Sequence, residues 1–358
     1  MGRVVDIGVL LSRSGIYAAL ARASRAGVMQ GVEEVNSDPE FDVSFRVVER
    51  DPEGRLDYYA PLCREILSGS QARHIFGCIT SASRKEVIPE LERFDGVLWY
   101  PVPYEGFEAS EHVAYMHSSP NQHLLPLLDW ALPHVGKRVY FVGSNYIWGW
   151  EIAQIGRERV AAAGGQILGD RYIPLGDTEL DHIIQDIRGL KPDFILNSLV
   201  GDSSYAFLAR LAELKRDALF ASRSTVLSCN FTECEIEAAG AGADGLISAG
   251  PWFEPDGGSG GSLQEMARRS VLELARLLHG NPGSEALSLS ELIHSAMRAG
   301  KKPQLDPVHL HASQPTVIAR LEKGQFREIK RLPSTRADPY LTYRSQNLQG
   351  GSMLKVVS

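Results

Sequence analysis

The side chains of this 358-residue chain best suited to chemistry are ten histidines, four cysteines and several clusters of hydroxyl and aromatic residues. No GxSxG, GxxxxGK[ST] or HExxH motif occurs, and no GxGxxG follows the first apolar run. His309-Leu310-His311 falls on a strand predicted over 308–311, which puts both rings on one face. A metal there needs a third ligand that the spacing does not place, so a plain strand face is the simpler reading. Cys63, Cys78, Cys229 and Cys234 form no CxxC pair and no zinc-type cluster. Buried free thiols are the simpler reading, with a Cys63–Cys78 bridge in an oxidising compartment as the alternative. The residues therefore propose no nucleophile–base pair, metal or cofactor, and the expectation is a protein that is not an enzyme.

The remaining clusters suit binding. Thr80-Ser81-Ala82-Ser83 brings hydroxyls to a helix start, where Ser81 or Ser83 either caps the helix or faces a ligand. Tyr100-Pro101-Val102-Pro103-Tyr104 is stiffened by two prolines and flanked by rigid aromatic walls. Tyr146, Trp148 and Trp150 crowd one short segment, and three large rings cap a core or line a cavity. Val200-Gly201-Asp202 precedes a predicted helix that Asp202 either caps or leaves to face a ligand. Asn230 sits in a comparable loop over 228–233. All five loops follow predicted strands. The carboxyl ends of parallel strands are where α/β sheets bind ligands, so the loops are expected to share one cleft.

The elements that must hold these loops alternate. Apolar runs at 4–11, 41–48, 75–79 and 97–100 read as strands, separated by helical periodicity over 24–36, 58–67 and 84–93. Small residues at 24, 27 and 31 are expected to let the first helix lie close to a sheet. The pattern then repeats, with strands at 137–143, 166–173, 194–199, 218–226 and 245–249 and helices at 121–132, 151–163, 179–190 and 203–214. Repeated βα units predict parallel sheets covered by helices on both faces. After a Gly-rich stretch at 255–262 come helices at 263–279 and 289–298, then short strands at 308–311, 317–322 and 326–330. The tail from 345 is polar and Gly-rich.

Composition narrows the class. With 37 Lys+Arg against 44 Asp+Glu the net charge is −7, which argues against direct nucleic-acid binding. At 44% hydrophobic and 23% charged the chain is globular, and its length suits two lobes. No apolar run is long enough to span a membrane. The opening Met1-Gly2-Arg3 runs into a short apolar segment carrying Asp6, unlike a signal peptide. A cytoplasmic protein, or a mature form whose leader has been removed, fits that start.

The segments GCITSASRK (77–85), YPVPYEGFE (100–108), SSPNQHLLPLLDWAL (118–132), GSNYIWG (143–149), YIPLGDTELDHII (172–184), KPDFILNSLVGDSSYAFL (191–208), VLSCNFTECEIE (226–237) and ADPYL (337–341) resemble the type I periplasmic-binding-protein fold. They are similar to its urea- and short-chain-amide-binding branch. The resemblance implies two α/β lobes, each with a doubly wound parallel sheet, joined by three crossovers. The first lobe would be 3–118 plus 251–313, the second 119–250 plus 314–343, with 344–358 as a tail. It implies a ligand between the lobes, held by Ser81, Tyr100 and Val102 on one side. Tyr146, Trp148, Val200, Gly201, Asp202 and Asn230 would come from the other. It further implies a cytoplasmic amide sensor that regulates amidase-type genes with an RNA-binding antitermination partner. The alternative is the receptor of an ABC importer for urea, amides or branched-chain amino acids, partnered by a permease. The oligomeric state is open, a homodimer included. Ile79 stands where the branch usually has a large aromatic, and Val102 and Trp148 are apolar where the amide sensor has hydroxyls, which implies a bulkier or more apolar amide. The stretch at 255–263 is shorter than in the branch.

Overall fold

The computed structural model describes residues 2–217, 224–255 and 260–342. The first half runs β1 (Arg3–Leu10), α1 (Ala18–Ser37), β2 (Val43–Arg50), α2 (Leu56–Gly69), β3 (His74–Gly77), α3 (Ser81–Phe94), β4 (Val97–Tyr100) and β5 (Val113–Tyr115). The second runs α4 (Leu124–His134), β6 (Arg138–Ser144), α5 (Ile147–Ala162), β7 (Gln166–Ile173), α6 (Asp181–Leu190), β8 (Phe194–Ser198), α7 (Asp202–Arg216), β9 (Thr225–Ser228), α8 (Ile236–Ala239) and β10 (Ile247–Gly250). Helices α9 (Gly261–Leu278) and α10 (Leu289–Arg298) and the hairpin β11 (Gln314–Glu322) and β12 (Gln325–Thr335) follow.

These strands build two sheets. One is ordered β2-β1-β3-β4-β5, and all its pairs are parallel. The other is ordered β12-β11-β10-β9-β8-β6-β7, where β7 to β10 pair in parallel and the β11–β12 hairpin adds an antiparallel edge. Each parallel run has the same winding, with its first strand second from the edge, so each has a switch point where adjacent loops diverge and leave a crevice. Strands β3, β4, β5 and β8 are buried throughout, as a sheet covered on both faces requires.

The chain passes between the sheets after β5, after β10 and before β11. Side-chain amides stitch these passages together. Gln314 Nε2 donates to the Met116 carbonyl (2.7 Å), and Gln122 Nε2 donates to the carbonyls of Ala312 (3.2 Å) and Thr335 (2.7 Å). Thr316 Oγ1 donates to the Gln122 carbonyl (2.7 Å).

Several expectations are corrected. Gly27 and Gly31 face α9 rather than a sheet: a Cβ at either would strike the backbone of Gln264 or Arg268. That neighbour arrives more than 230 residues later in the chain, beyond the reach of local periodicity. No strand forms over 308–311. Leu310 has φ +57°, which breaks the alternation, and only isolated bridges at Tyr115–His311 and Leu305–Ala312 remain. The two rings diverge as a result: His311 stacks on Tyr115 in the interior, and His309 meets Tyr340 edge-on. All four cysteines are free, so Cys63 and Cys78 are not bridged. Strand β5 was not foreseen, because three residues carry no readable period. The expected strand at 218–226 is seen only as β9, since 218–223, like 256–259 and the tail, lie outside the described residues.

Candidate functional site

Helix α3 starts one residue earlier than a Ser81 cap requires. Thr80 is the cap: its Oγ1 accepts from the Ser83 backbone N–H (3.1 Å), and Ser83 closes the reciprocal bond. Ser81 is thereby released from capping and sits buried in the first turn. Tyr100 ends β4, and Val102 and Pro103 follow it in the irregular loop after that strand. From the other sheet, Tyr146 is the residue before α5 and Trp148 lies in its first turn, the helix starting at Ile147, four residues before the expected start at 151. Val200 and Asn230 come from the loops after β8 and β9.

These seven residues line one small cavity of ≈ 30 Å³ between the sheets, together with Leu20, Ile79 and Pro103. That is room for about one or two water molecules, well below the roughly 300 Å³ or more of an open small-molecule site. Leu20, in the first turn of α1, was missed although the loop after β1 obeys the same strand-end rule as the others. Two of the nine expected residues do not line the cavity. Asp202 is the first residue of α7 and points to solvent, while Gly201 occupies the cap position. Asp202 therefore neither caps the helix nor faces the cavity. Gly201 instead meets the opposite lobe. Its φ is +62°, and an added Cβ would overlap the Ile16 carbonyl oxygen, which also accepts from the Asp202 backbone N–H (3.3 Å).

Most polar groups around the cavity are already committed. Trp148 Nε1 donates to the Ser198 carbonyl (3.2 Å), and the Tyr100 hydroxyl donates to the Ile79 carbonyl (3.3 Å). Asn230 Nδ2 donates to the Leu199 carbonyl (3.0 Å), and its Oδ1 accepts from Ser228 Oγ (3.1 Å). The Ser81 and Tyr146 hydroxyls make no hydrogen bond among the described residues, and one comes from each side. Burial pushes the Tyr146 phenol well up, with Glu105 adding to the effect, so it stays a neutral donor and acceptor.

No charged side chain among the described residues lines the cavity. Charge lies one ring behind it. Arg84, wholly buried, sits 4.7 Å over the Tyr100 ring and within 6 Å of the Tyr104 and Tyr115 rings. Its Nη2 donates to Glu105 Oε1 (2.7 Å) and its Nε to Glu108 Oε1 (2.8 Å). Burial works against the Arg84 charge, but Glu105, then Tyr100 and Glu108, hold its pKa well above the ordinary value. No group of three His, Cys, Asp or Glu suited to a metal occurs among the described residues. None of the described helices is long and apolar enough to cross a membrane.

A sequence profile described as a periplasmic binding protein domain matches residues 5–255. Solved structures share the fold. A solute-binding protein of an ABC transporter from R. palustris, in complex with benzoate, has a TM-score of 0.80 at 16% identity, covering 94% of this chain and 99% of that one. A second from R. palustris, in complex with 4-hydroxybenzoate, has 0.76 at 17%, covering 93% and 98%. The branched-chain amino acid transporter substrate-binding protein LivJ of Streptococcus pneumoniae, in complex with isoleucine, has 0.75 at 15%, covering 93% and 100%.

Proposed function

Since the chain belongs to the periplasmic binding protein family, we propose that it is a two-lobed receptor for a small uncharged ligand of the amide or urea class. The observation that carries this reading is the cavity: among the described residues no charged side chain lines it, and two hydroxyls without a hydrogen bond line it from opposite lobes. Each hydroxyl can donate and accept, which matches the N–H groups and carbonyl of an amide. A carboxylate would need a cation or a set of converging donors. The lobes are taken as 3–118 plus 251–313 and 119–250 plus 314–343. A ligand touching both would favour the closed arrangement through contacts the open one lacks.

The similar structures are of ABC-transporter components. They support a non-catalytic receptor that delivers its ligand to a permease over the cytoplasmic amide sensor with an antitermination partner, which rests on sequence resemblance alone. The ligand class differs from theirs, because benzoate and isoleucine both carry a carboxylate and no described residue brings a charge to this cavity to meet one.

A thermal-shift panel of acetamide, benzamide, urea, benzoate and isoleucine tests the class. Binding to the folded state alone at a hundred times Kd stabilises by about 2.7 kcal/mol, so an amide or urea is expected to raise Tm by several degrees. Stabilisation by benzoate or isoleucine with none by the neutral compounds overturns the reading. Tyr146→Ala is expected to weaken the best panel ligand by about 1–3 kcal/mol through lost aromatic burial and a lost hydrogen bond. Unchanged affinity by calorimetry would place Tyr146 outside the binding surface.

A further inference from the structure

We propose that the buried Arg84–Glu105 pair is the element that decides ligand charge: Glu105 holds the guanidinium away from the cavity and so excludes carboxylates. The inference deepens the neutral-ligand reading and rests on it.

Arg84 follows Ser81 by three positions on α3, so the two side chains share a helix face. Ser81 reaches the cavity, while the Arg84 guanidinium is turned behind Tyr100, whose ring is part of the cavity wall. Its forked N–H groups are taken by Glu105 Oε1 at 2.7 Å, Glu105 Oε2 at 3.4 Å and Glu108 Oε1 at 2.8 Å. Lys85 Nζ completes the group at 2.6 Å from Glu108 Oε2. Two cations face two carboxylates, so the quartet is formally neutral and presents no net charge to the cavity. Arg84 and Glu105 are almost fully excluded from solvent, with side chains 0% and 1% exposed. In such surroundings an imbalance of one charge is weakly screened and acts strongly over a few ångströms. A ligand carboxylate would lose its hydration and find no free donor fork, which is discrimination by a withheld partner.

Neutralising Glu105 tests this. Glu105→Gln leaves the guanidinium with one carboxylate partner instead of two. Calorimetry with two matched pairs, acetamide against acetate and benzamide against benzoate, reads the change. Wild type is expected to bind an amide and not its acid. Glu105→Gln is expected to gain at least tenfold in affinity for the acid, with a smaller change for the amide. Arg84→Gln combined with Glu105→Gln removes both charges and is expected to lose that gain, which separates charge from altered shape. If Glu105→Gln does not fold, Glu108→Gln makes the same change of net charge at a carboxylate 14% exposed and decides in its place. A folded variant that binds the amide but gains nothing for the acid overturns the inference and leaves the neutral-ligand reading intact. Wild type that binds the acids as well as the amides overturns that reading itself.

Discussion

Gly201→Ala is expected to abolish most of the ligand response while the chain still folds. Gly201 sits at φ +62°, ψ −136°, a region that side-chain-bearing residues rarely occupy. The more telling feature is what a Cβ would meet, namely the Ile16 carbonyl oxygen on the loop between β1 and α1 of the other lobe. A clash with backbone cannot be relieved by a rotamer change, so the lobes must stay apart. The Ile16–Asp202 backbone bond across the cleft is then lost as well. Affinity for the best panel amide is expected to fall at least 100-fold, about 2.7 kcal/mol. Gly240 is the control. It has φ +56°, ψ −152° and nothing within 4 Å of an added Cβ. Gly240→Ala carries the same backbone strain of about 1–3 kcal/mol and is expected to bind normally. Equal affinities in the two variants would mean that the Ile16 contact plays no part in ligand binding.

The second large effect is a loss of stability at alkaline pH. Glu235 is fully buried in the turn before α8, and burial pushes its pKa up to about 8. The Thr232 N–H and the Tyr205 hydroxyl offset part of that shift. A carboxyl whose folded pKa is raised stabilises fully below its unfolded value near 4.5 and loses that contribution as pH rises through 8. The complete loss is about 5 kcal/mol, of which about 2–3 falls between pH 6 and 9. Wild-type Tm is therefore expected to drop over that interval. Glu235→Gln keeps the shape and hydrogen-bonding capacity of the neutral acid and is expected to hold its Tm. Parallel melts at pH 6 and 9 check this, and identical slopes would show that Glu235 carries no such burden. The acid side has the opposite sign. Burial lowers His74 and His311 to about 3 and His123 to about 4. Their contribution is present above pH 6.5 and lost as pH falls towards 3–4, an arm that Glu235→Gln leaves untouched.

Much of the candidate site's geometry was legible because parallel α/β sheets place their loops by rule. Ser81, Tyr100, Val102, Tyr146, Trp148, Val200 and Asn230 each follow a strand that apolar patterning marks out, and all meet in one cavity. The errors arise where one residue of register or one distant partner matters. Asp202 reads as a cap or a ligand group, but the chain turns at Gly201 and leaves Asp202 facing solvent. His311 reads as an exposed strand residue, but the positive φ of Leu310 turns it inward onto Tyr115. Glycines 27 and 31 read as sheet-facing, but they admit a helix from the far end of the chain.

The sequence by itself determined the layered α/β architecture and which loops end on the cleft, because burial on both faces and strand polarity are written in local periodicity. Only the tertiary structure decided that Arg84 spends its charge on Glu105 and Glu108, and that Gly201 and Ile16 meet across the cleft. Those pairings join residues 21, 24 and 185 positions apart. Their energies come from desolvation and from backbone contact at close range, and neither term exists until the surrounding elements have packed.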